Sequence, residues 1–205
     1  MAIITEISVQ KKNKNRSNIY LDNEFYCGLE NITVVQFRLT VGAEISKETL
    51  ENAQFESEKE QALTKAVGYI SRAQKSKRQI KDYLINKGYL EKVVEYCVNK
   101  LIEYGYIDDL EYCKSFIRAH KNSKGKKAIE RDLKLKGIDF NLVEKALDEE
   151  LTSQNDAVIT IAERYMRNKE KTKENFAKLY RHILSKGFDY EQASLAVAHF
   201  KGEEF

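Results

Sequence analysis

The chain has 205 residues, of which 33% are charged, against about 25% in a typical soluble protein, and it contains no proline. Its formal net charge of +3 excludes a histone-like polycation, so basic residues that bind nucleic acid would have to be clustered. No segment approaches the roughly 18 apolar residues of a membrane span. Cys27, Cys97 and Cys113 show no metal-binding spacing. We therefore expect a soluble cytoplasmic protein with free buried thiols and no cofactor or metal.

The first 56 residues predict a small β element. Residues 3–10 alternate in strand periodicity, and Asp22-Asn23 between two short apolar runs favours a tight hairpin turn. A short helix is expected around residues 31–39 and an irregular segment at 40–45, after which Ser46 can cap another short helix. We expect a β-hairpin or three-stranded element that docks on helices.

Helical periodicity begins at Ser57. Ser57 with Glu60, and Ser76 with Gln79, match the capping-box pattern that opens a helix. Further helix starts are predicted by the residues that could cap them: Asp108, Ser123 and Ser153. Because proline is absent, glycine is expected to end these helices.

A Lys-Gly dipeptide recurs along this helical part: Lys87-Gly88, Lys136-Gly137 and Lys186-Gly187, spaced 49 and 50 residues apart. Aliphatic residues lie four and eight positions before each glycine. A fixed period of this size indicates tandem structural repeats. The fold class is therefore mainly α, with three tandem three-helix repeats forming an elongated curved body. The expected domains are the β-rich extension 1–56 and the repeats 57–107, 108–152 and 153–205.

Each repeat also places cationic residues near the junction of its first and second helices. These candidate binding residues are Arg72, Lys75, Lys77, Arg78 and Lys81, then Arg118, Lys121, Lys124, Lys126 and Lys127, then Arg164, Arg167, Lys169, Lys171 and Lys173. A helix N-terminus at each junction would add oriented N–H groups. The series could follow a phosphate backbone or acidic patches on a polymer, although a charge run is also typical of a solvated helix end.

Catalytic motifs are not found in the sequence. A phosphate-binding loop at Gly125 would need glycine at position 120 and serine or threonine at 127, which hold His120 and Lys127. Asp108 and Asp109 lie at a predicted helix start, where capping is the usual role of aspartate. The three histidines are far apart. We expect that the protein is not an enzyme.

Three stretches together carry a family resemblance: Tyr69-Ile70-Ser71-Arg72 with Ser76, Ile80, Leu84 and Lys87-Gly88-Tyr89; Leu101 with Gly105-Tyr106-Ile107-Asp108-Asp109; and Lys124-Gly125 with Ile129, Leu133 and Lys136-Gly137-Ile138. In this order they resemble the RecX regulatory proteins, over residues 57–200. The strand segment is similar to the extension of longer, Gram-positive-type members.

The resemblance implies modulation of the RecA recombinase. RecX proteins bind RecA filaments on single-stranded DNA, usually limit filament extension, and dampen strand exchange, ATP hydrolysis and SOS coprotease activity. We expect a monomer whose partner is the RecA filament, with single-stranded and duplex DNA as further candidate partners and no membrane. Two alternatives remain open: a general DNA-binding module with helix-turn-helix readers, and a structural scaffold.

Overall fold

The computed structural model describes residues 2–151 and 153–201, which form two compact units. The first contains the residues up to 74 together with 80–106, and the second contains 75–79 together with the residues from 107 onward. Within the described ranges, no helix is both long and apolar enough to cross a membrane.

The N-terminal strands form a small antiparallel sheet in the first unit. Its strands are β1 (Ala2–Val9), β2 (Arg16–Leu21), β3 (Glu24–Glu30) and the two-residue β4 (Glu44–Ile45), in the order β3-β2-β1-β4. Asp22 and Asn23 have φ angles of 49° and 70°, which confirms the predicted hairpin turn. The segment expected to be irregular instead ends in β4, which pairs with Ala2 and Ile3.

A bulge in β1 decides which side chains enter the core. The pairing with β2 shifts register between Ile4 and Glu6. Ile4 is fully buried and Ile7 packs partly against the same cluster, whereas Ile3 is 44% exposed. The simple alternation of the sequence breaks here because the extra residue of a bulge changes the face on which later side chains lie.

The helix that follows the sheet is longer than predicted. After α1 (Asn31–Gln36), Ser46 caps α2 (Lys47–Ile70), a single helix of 24 residues. The predicted helix start at Ser57 is wrong: Ser57 is buried in mid-helix, and its Oγ accepts the backbone N–H of Glu30 at 2.8 Å. Because this hydroxyl bonds to β3 rather than to its own helix, α2 runs unbroken across the expected boundary at 56/57.

The same helix buries a carboxylate. Glu58 is 9% exposed, and its Oε1 accepts from Gln54 Nε2 at 3.2 Å. Among the described residues no group hydrogen-bonds its Oε2. Burial raises the pKa of Glu58, against the opposing hydrogen bond from Gln54 and the nearby charges of Arg16 and Lys65. At a pH between the ordinary pKa and the raised one, the folded protein therefore binds more protons at this group than the unfolded chain does.

We expect Glu58→Gln to remove a contribution to the pH dependence of stability. Between the ordinary glutamate pKa and the raised one, the wild-type free energy of unfolding falls as the pH rises. The stability of the variant relative to wild type should therefore be largest at pH 7 and shrink as the pH is lowered toward 4.5. Urea unfolding at several pH values measures this, with the exposed Glu95→Gln as control. Parallel curves for wild type and Glu58→Gln would contradict the expectation.

The later helices come in threes, as the period predicts. α3 (Lys77–Asn86) and α4 (Glu91–Glu103) follow α2; the next group is α5 (Asp109–His120), α6 (Lys126–Leu135) and α7 (Phe140–Glu150); the last is α8 (Asn155–Met166), α9 (Lys173–Ser185) and α10 (Tyr190–Lys201). The second group shares a core around Ile117, Leu133 and Leu147, and the third a core around Phe188. The protein is thus mostly helical, with tandem three-helix domains behind a small sheet.

Most of the predicted helix ends are confirmed. Ser76 Oγ accepts from Gln79 N, and Ser76 N donates to Gln79 Oε1, as a capping box requires. Asp108 caps α5. The glycines of the three periodic Lys-Gly dipeptides, Gly88, Gly137 and Gly187, have positive φ angles of 85°, 75° and 87°. The expected cap at Ser123 is wrong, because α6 begins after Gly125 and the Ser123 hydroxyl donates to the carbonyl of His120.

The three cysteines are free and buried. Burial raises the pKa of Cys27 to about 12 and the pKa values of Cys97 and Cys113 to about 11. These thiols are therefore protonated at neutral pH and pack as small apolar groups.

Candidate partner-binding surface

At the first two of the three predicted junctions, the helix start contacts another part of the fold. Ser76 is fully buried, and its Oγ donates to the carbonyl of Lys136 at 2.7 Å. Asp109, also buried, accepts the backbone N–H of Lys77 at 2.9 Å, so it caps α3 while its neighbour Asp108 caps α5. The interpretation of the aspartate pair as caps is confirmed. Two of the first-turn N–H groups of this helix, those of Lys77 and Gln79, therefore already have acceptors within the fold.

The start of α6 also donates hydrogen bonds to another part of the chain. Gly125 N donates to the carbonyl of Lys186 at 3.0 Å, and Lys127 N donates to that of Gly187 at 3.2 Å. Gln154, 5% exposed, donates from Nε2 to the carbonyls of Lys121 and Lys124. At these two junctions, side-chain charges are therefore the better candidates for binding a partner.

In the first basic cluster, Arg72 and Lys81 are exposed. Lys75 and Lys77 are partly buried beside the α3 start. Arg78 is exposed overall, but its aliphatic stem lies where a Cβ on Gly137 would be, so it packs on the second Lys-Gly dipeptide. This cluster thus combines solvent-facing charges with a residue that packs against the second repeat.

The second basic cluster is largely engaged in ion pairs. Arg118 forms a two-pronged contact with Glu150, in which Nε lies 2.7 Å from Oε2, and Lys124 Nζ lies 2.6 Å from Asp132 Oδ2. These hydrogen bonds hold the pKa values of Glu150 and Asp132 below their usual range.

The other members of that cluster differ in exposure. Lys121 is partly buried, and its Nζ lies 3.5 Å from the carbonyl of Glu150. Lys126 and Lys127 remain exposed. Lys126 Nζ lies 4.0 Å from Glu130 Oε1, a longer contact than those of Arg118 and Lys124. Lys126 and Lys127 are therefore the better candidates for an external anion.

The third cluster is the most exposed. Arg164, Arg167, Lys171 and Lys173 are all exposed. Lys169 Nζ lies 3.1 Å from the ring centroid of Tyr165, a cation–π contact. Eight of the exposed side chains in the three clusters are called here the exposed junction cations: Arg72, Lys81, Lys126, Lys127, Arg164, Arg167, Lys171 and Lys173.

An aromatic residue recurs in each repeat, close to the basic cluster, and was not predicted from the sequence. Tyr69, Phe116 and Tyr165 are each partly buried and each stack on another ring, with centroids 4.1, 4.0 and 4.6 Å apart. The stacked partners are Tyr83, His120 and His182.

Lysines accompany these stacks in every repeat. Lys87 lies 5.6 Å from the Tyr83 ring, and Lys136 lies 5.5 Å from that of Phe116. Burial, together with the charges of Lys186 and Lys169, lowers the pKa of His182. The signal in the sequence is an aromatic residue three positions after a small one, Ala66, Cys113 or Ala162. In the structure these three small residues are fully buried. Tyr69, Phe116 and Tyr165 lie near the C-terminal ends of α2, α5 and α8, the helices that precede the basic clusters.

The chemistry available to this surface is electrostatic. In the part of the chain that the structure describes, no group of three or more metal-ligating side chains could hold a metal ion. Cations at recurrent positions on rigid helix ends suit binding to a polyanion or to acidic protein patches.

Comparison with known proteins gives consistent matches. Family models match at residues 2–46 (Regulatory protein RecX N-terminal domain), 62–101 (RecX, first three-helix domain) and 108–147 (RecX, second three-helix domain). The Regulatory protein RecX of Clostridium beijerinckii is 32% identical, over 96% of this chain and 95% of that protein. That of Bacillus licheniformis is 30% identical, over 96% of this chain and 77% of that protein.

Solved structures agree with the sequence matches. A crystal structure of a regulatory protein RecX covers 96% of this chain and 98% of its own, with a TM-score of 0.64 and 26% identity. The structure of RecX from Lactobacillus salivarius covers 70% of this chain and 97% of its own, with a TM-score of 0.62 and 26% identity.

Proposed function

The chain belongs to the RecX family of regulatory proteins, and on this basis we propose that it binds RecA filaments on single-stranded DNA and limits their activity. The observation that carries the proposal is the similarity to RecX proteins along 96% of the chain. In this role the protein acts in the cytoplasm as a monomer and without catalysis of its own. It lowers the recombinase, ATPase and coprotease activities of RecA by binding.

The exposed junction cations support this role and suggest the contact. A RecA filament is a helical polymer wound on a polyanion, so a binder gains from charges at regular intervals. Arg118 and Lys124 contribute less, because each is already paired with a carboxylate, that of Glu150 or Asp132. Arg72, Lys126 and Arg164 represent one exposed cation from each repeat.

We expect the triple reversal Arg72→Glu, Lys126→Glu and Arg164→Glu to weaken inhibition of the RecA ATPase on single-stranded DNA by at least about tenfold. Three ionic contacts worth roughly 0.5–1 kcal/mol each would account for a loss of this size. The measurement is the concentration of protein that halves ATP hydrolysis, at fixed salt, with circular dichroism confirming that the variant is folded.

A matched control reverses three exposed cations outside the junctions: Lys11, Lys12 and Lys145. It changes the net charge by the same amount and should inhibit as wild type does. Full inhibition by the folded junction variant would contradict the proposed contact. Equally tight binding to duplex DNA without RecA would favour a general DNA-binding module, and no effect of the wild type on RecA would favour a scaffold.

A further inference from the structure

Two of the three Lys-Gly turns are docking surfaces within the second unit. The turn at Lys136-Gly137 receives the start of α3, because Ser76 Oγ donates to the Lys136 carbonyl at 2.7 Å. The turn at 186–187 receives the start of α6, through the hydrogen bonds of Gly125 N and Lys127 N to its two carbonyls. In both cases a helix N-terminus with a small N-cap, serine or glycine, meets the C-terminal end of another helix, so that opposite ends of two helix dipoles adjoin.

The approach is close enough to require glycine on steric grounds at both turns. A Cβ at Gly137 would overlap the stem of Arg78, and a Cβ at Gly187 would overlap Ala128. These glycines therefore serve twice: they adopt a positive φ, and they leave room for the incoming helix.

The remaining turn has the same backbone but is unoccupied. Gly88 has φ +85°, and its N–H donates to the carbonyl of Ile85 at 2.8 Å, as Gly137 and Gly187 donate to the residue three before them. Among the described residues, no heavy atom lies within 4 Å of a Cβ built on Gly88. Lys87 and Gly88 are exposed, and the apolar side chain of Ile85 on the same turn is 53% exposed.

We propose that the Lys87-Gly88 turn is a docking surface for the N-terminus of a partner helix with a serine or glycine N-cap. Resting on the proposed function, the proposal assigns this helix to a RecA protomer of the filament. The two internal junctions define the chemistry: the carbonyls of Lys87 and Gly88 accept from the N-cap group and the first-turn N–H groups. The bare Cα of Gly88 lets the helix approach, and Ile85 adds apolar contact.

A second copy of this chain fits less well. The corresponding helix of the last repeat, α9, starts 13 residues before the lysine of its Lys-Gly turn, whereas α3 and α6 start 10 residues before theirs. The extra turn is capped by Thr172, whose side chain accepts from Asn175 N. The start of α9 therefore differs from the two helix starts that dock within the chain.

The test is Gly88→Asn, because asparagine tolerates positive φ and its side chain would fill the space that the helix needs. The matched control is Gly105→Asn, which has φ +69° and equally open surroundings but no preceding lysine. Binding to RecA filaments on single-stranded DNA is measured for both, together with thermal unfolding. We expect Gly88→Asn to bind at least about tenfold more weakly and Gly105→Asn to bind as wild type does. If Gly88→Asn unfolds, Ile85→Lys, at an exposed position of the same turn, replaces it.

The outcomes separate the two proposals. Wild-type affinity of the folded Gly88→Asn and Ile85→Lys variants would overturn the docking surface and leave the proposed function intact. Failure of the wild type to bind filaments would overturn both. Sedimentation that shows self-association lost in Gly88→Asn, with filament binding retained, would identify a second copy as the occupant and overturn the assignment to RecA.

Discussion

Replacing Gly125 with alanine is expected to lower the free energy of unfolding by about 3 kcal/mol, the upper end of the usual cost of overpacking. A Cβ at this position would overlap the backbone of Gly187 and the amide nitrogen of Phe188. Its own backbone angles, φ −74° and ψ 166°, suit any residue, so the demand for glycine is one of space alone. Backbone atoms cannot rotate away, and the α6 junction must open to admit the methyl group.

Urea unfolding followed by circular dichroism measures this loss. Gly68→Ala is the matched control, because Gly68 lies inside α2 with no atom within 4 Å of a built Cβ. There alanine should increase stability by roughly 0.5–1 kcal/mol through its higher helix propensity. If Gly125→Ala and Gly68→Ala changed the free energy of unfolding by similar amounts, the close contact of Gly125 with Gly187 and Phe188 would be contradicted.

Truncating Phe188 to alanine is expected to cost about 3–5 kcal/mol. Phe188 follows the third Lys-Gly turn, is 1% exposed, and packs among Val158, Ile183 and Ala193. Removing the ring leaves a cavity in the core of the third repeat. It should also weaken the packing of the Phe188 backbone against Gly125. The measurement is again the free energy of unfolding from urea titration.

Phe140→Ala provides the comparison at a surface position. Phe140 begins α7 and is 64% exposed, so its truncation should change stability by no more than about 0.5 kcal/mol. A cost for Phe188→Ala as small as that for Phe140→Ala would contradict the burial of the third-repeat core.

The period and the local caps were predictable because their causes lie within a few residues. A glycine that ends a helix and a Ser76–Gln79 capping box depend on near neighbours in the chain. The errors at Ser57 and Ser123 have the opposite origin. The Ser57 hydroxyl bonds to a strand end 27 residues away, and α6 starts at Gly125 because that position meets the third Lys-Gly turn.

The candidate site was predicted in outline and not in detail, for the same reason. The sequence placed fifteen cations at the junctions, but the partners that engage Arg118 and Lys124 come from other positions, Glu150 and Asp132. Asp109 could be predicted as a cap, but not as the cap of a helix that begins 32 residues earlier. Tertiary contacts therefore decide which charges face solvent.

The unbroken helix α2 has a consequence for how the protein can be divided. It packs on both β3 and α4, so the sheet and the first repeat are expected to unfold as one cooperative segment. A chain shortened to begin at residue 57 would start in mid-helix, without Leu50 and Ala53 from the sheet-side core and without the backbone partner of Ser57. A chain that begins at Ser46 would keep α2 whole with its N-cap, but it would uncover Leu50 and Ala53, which pack against the strands.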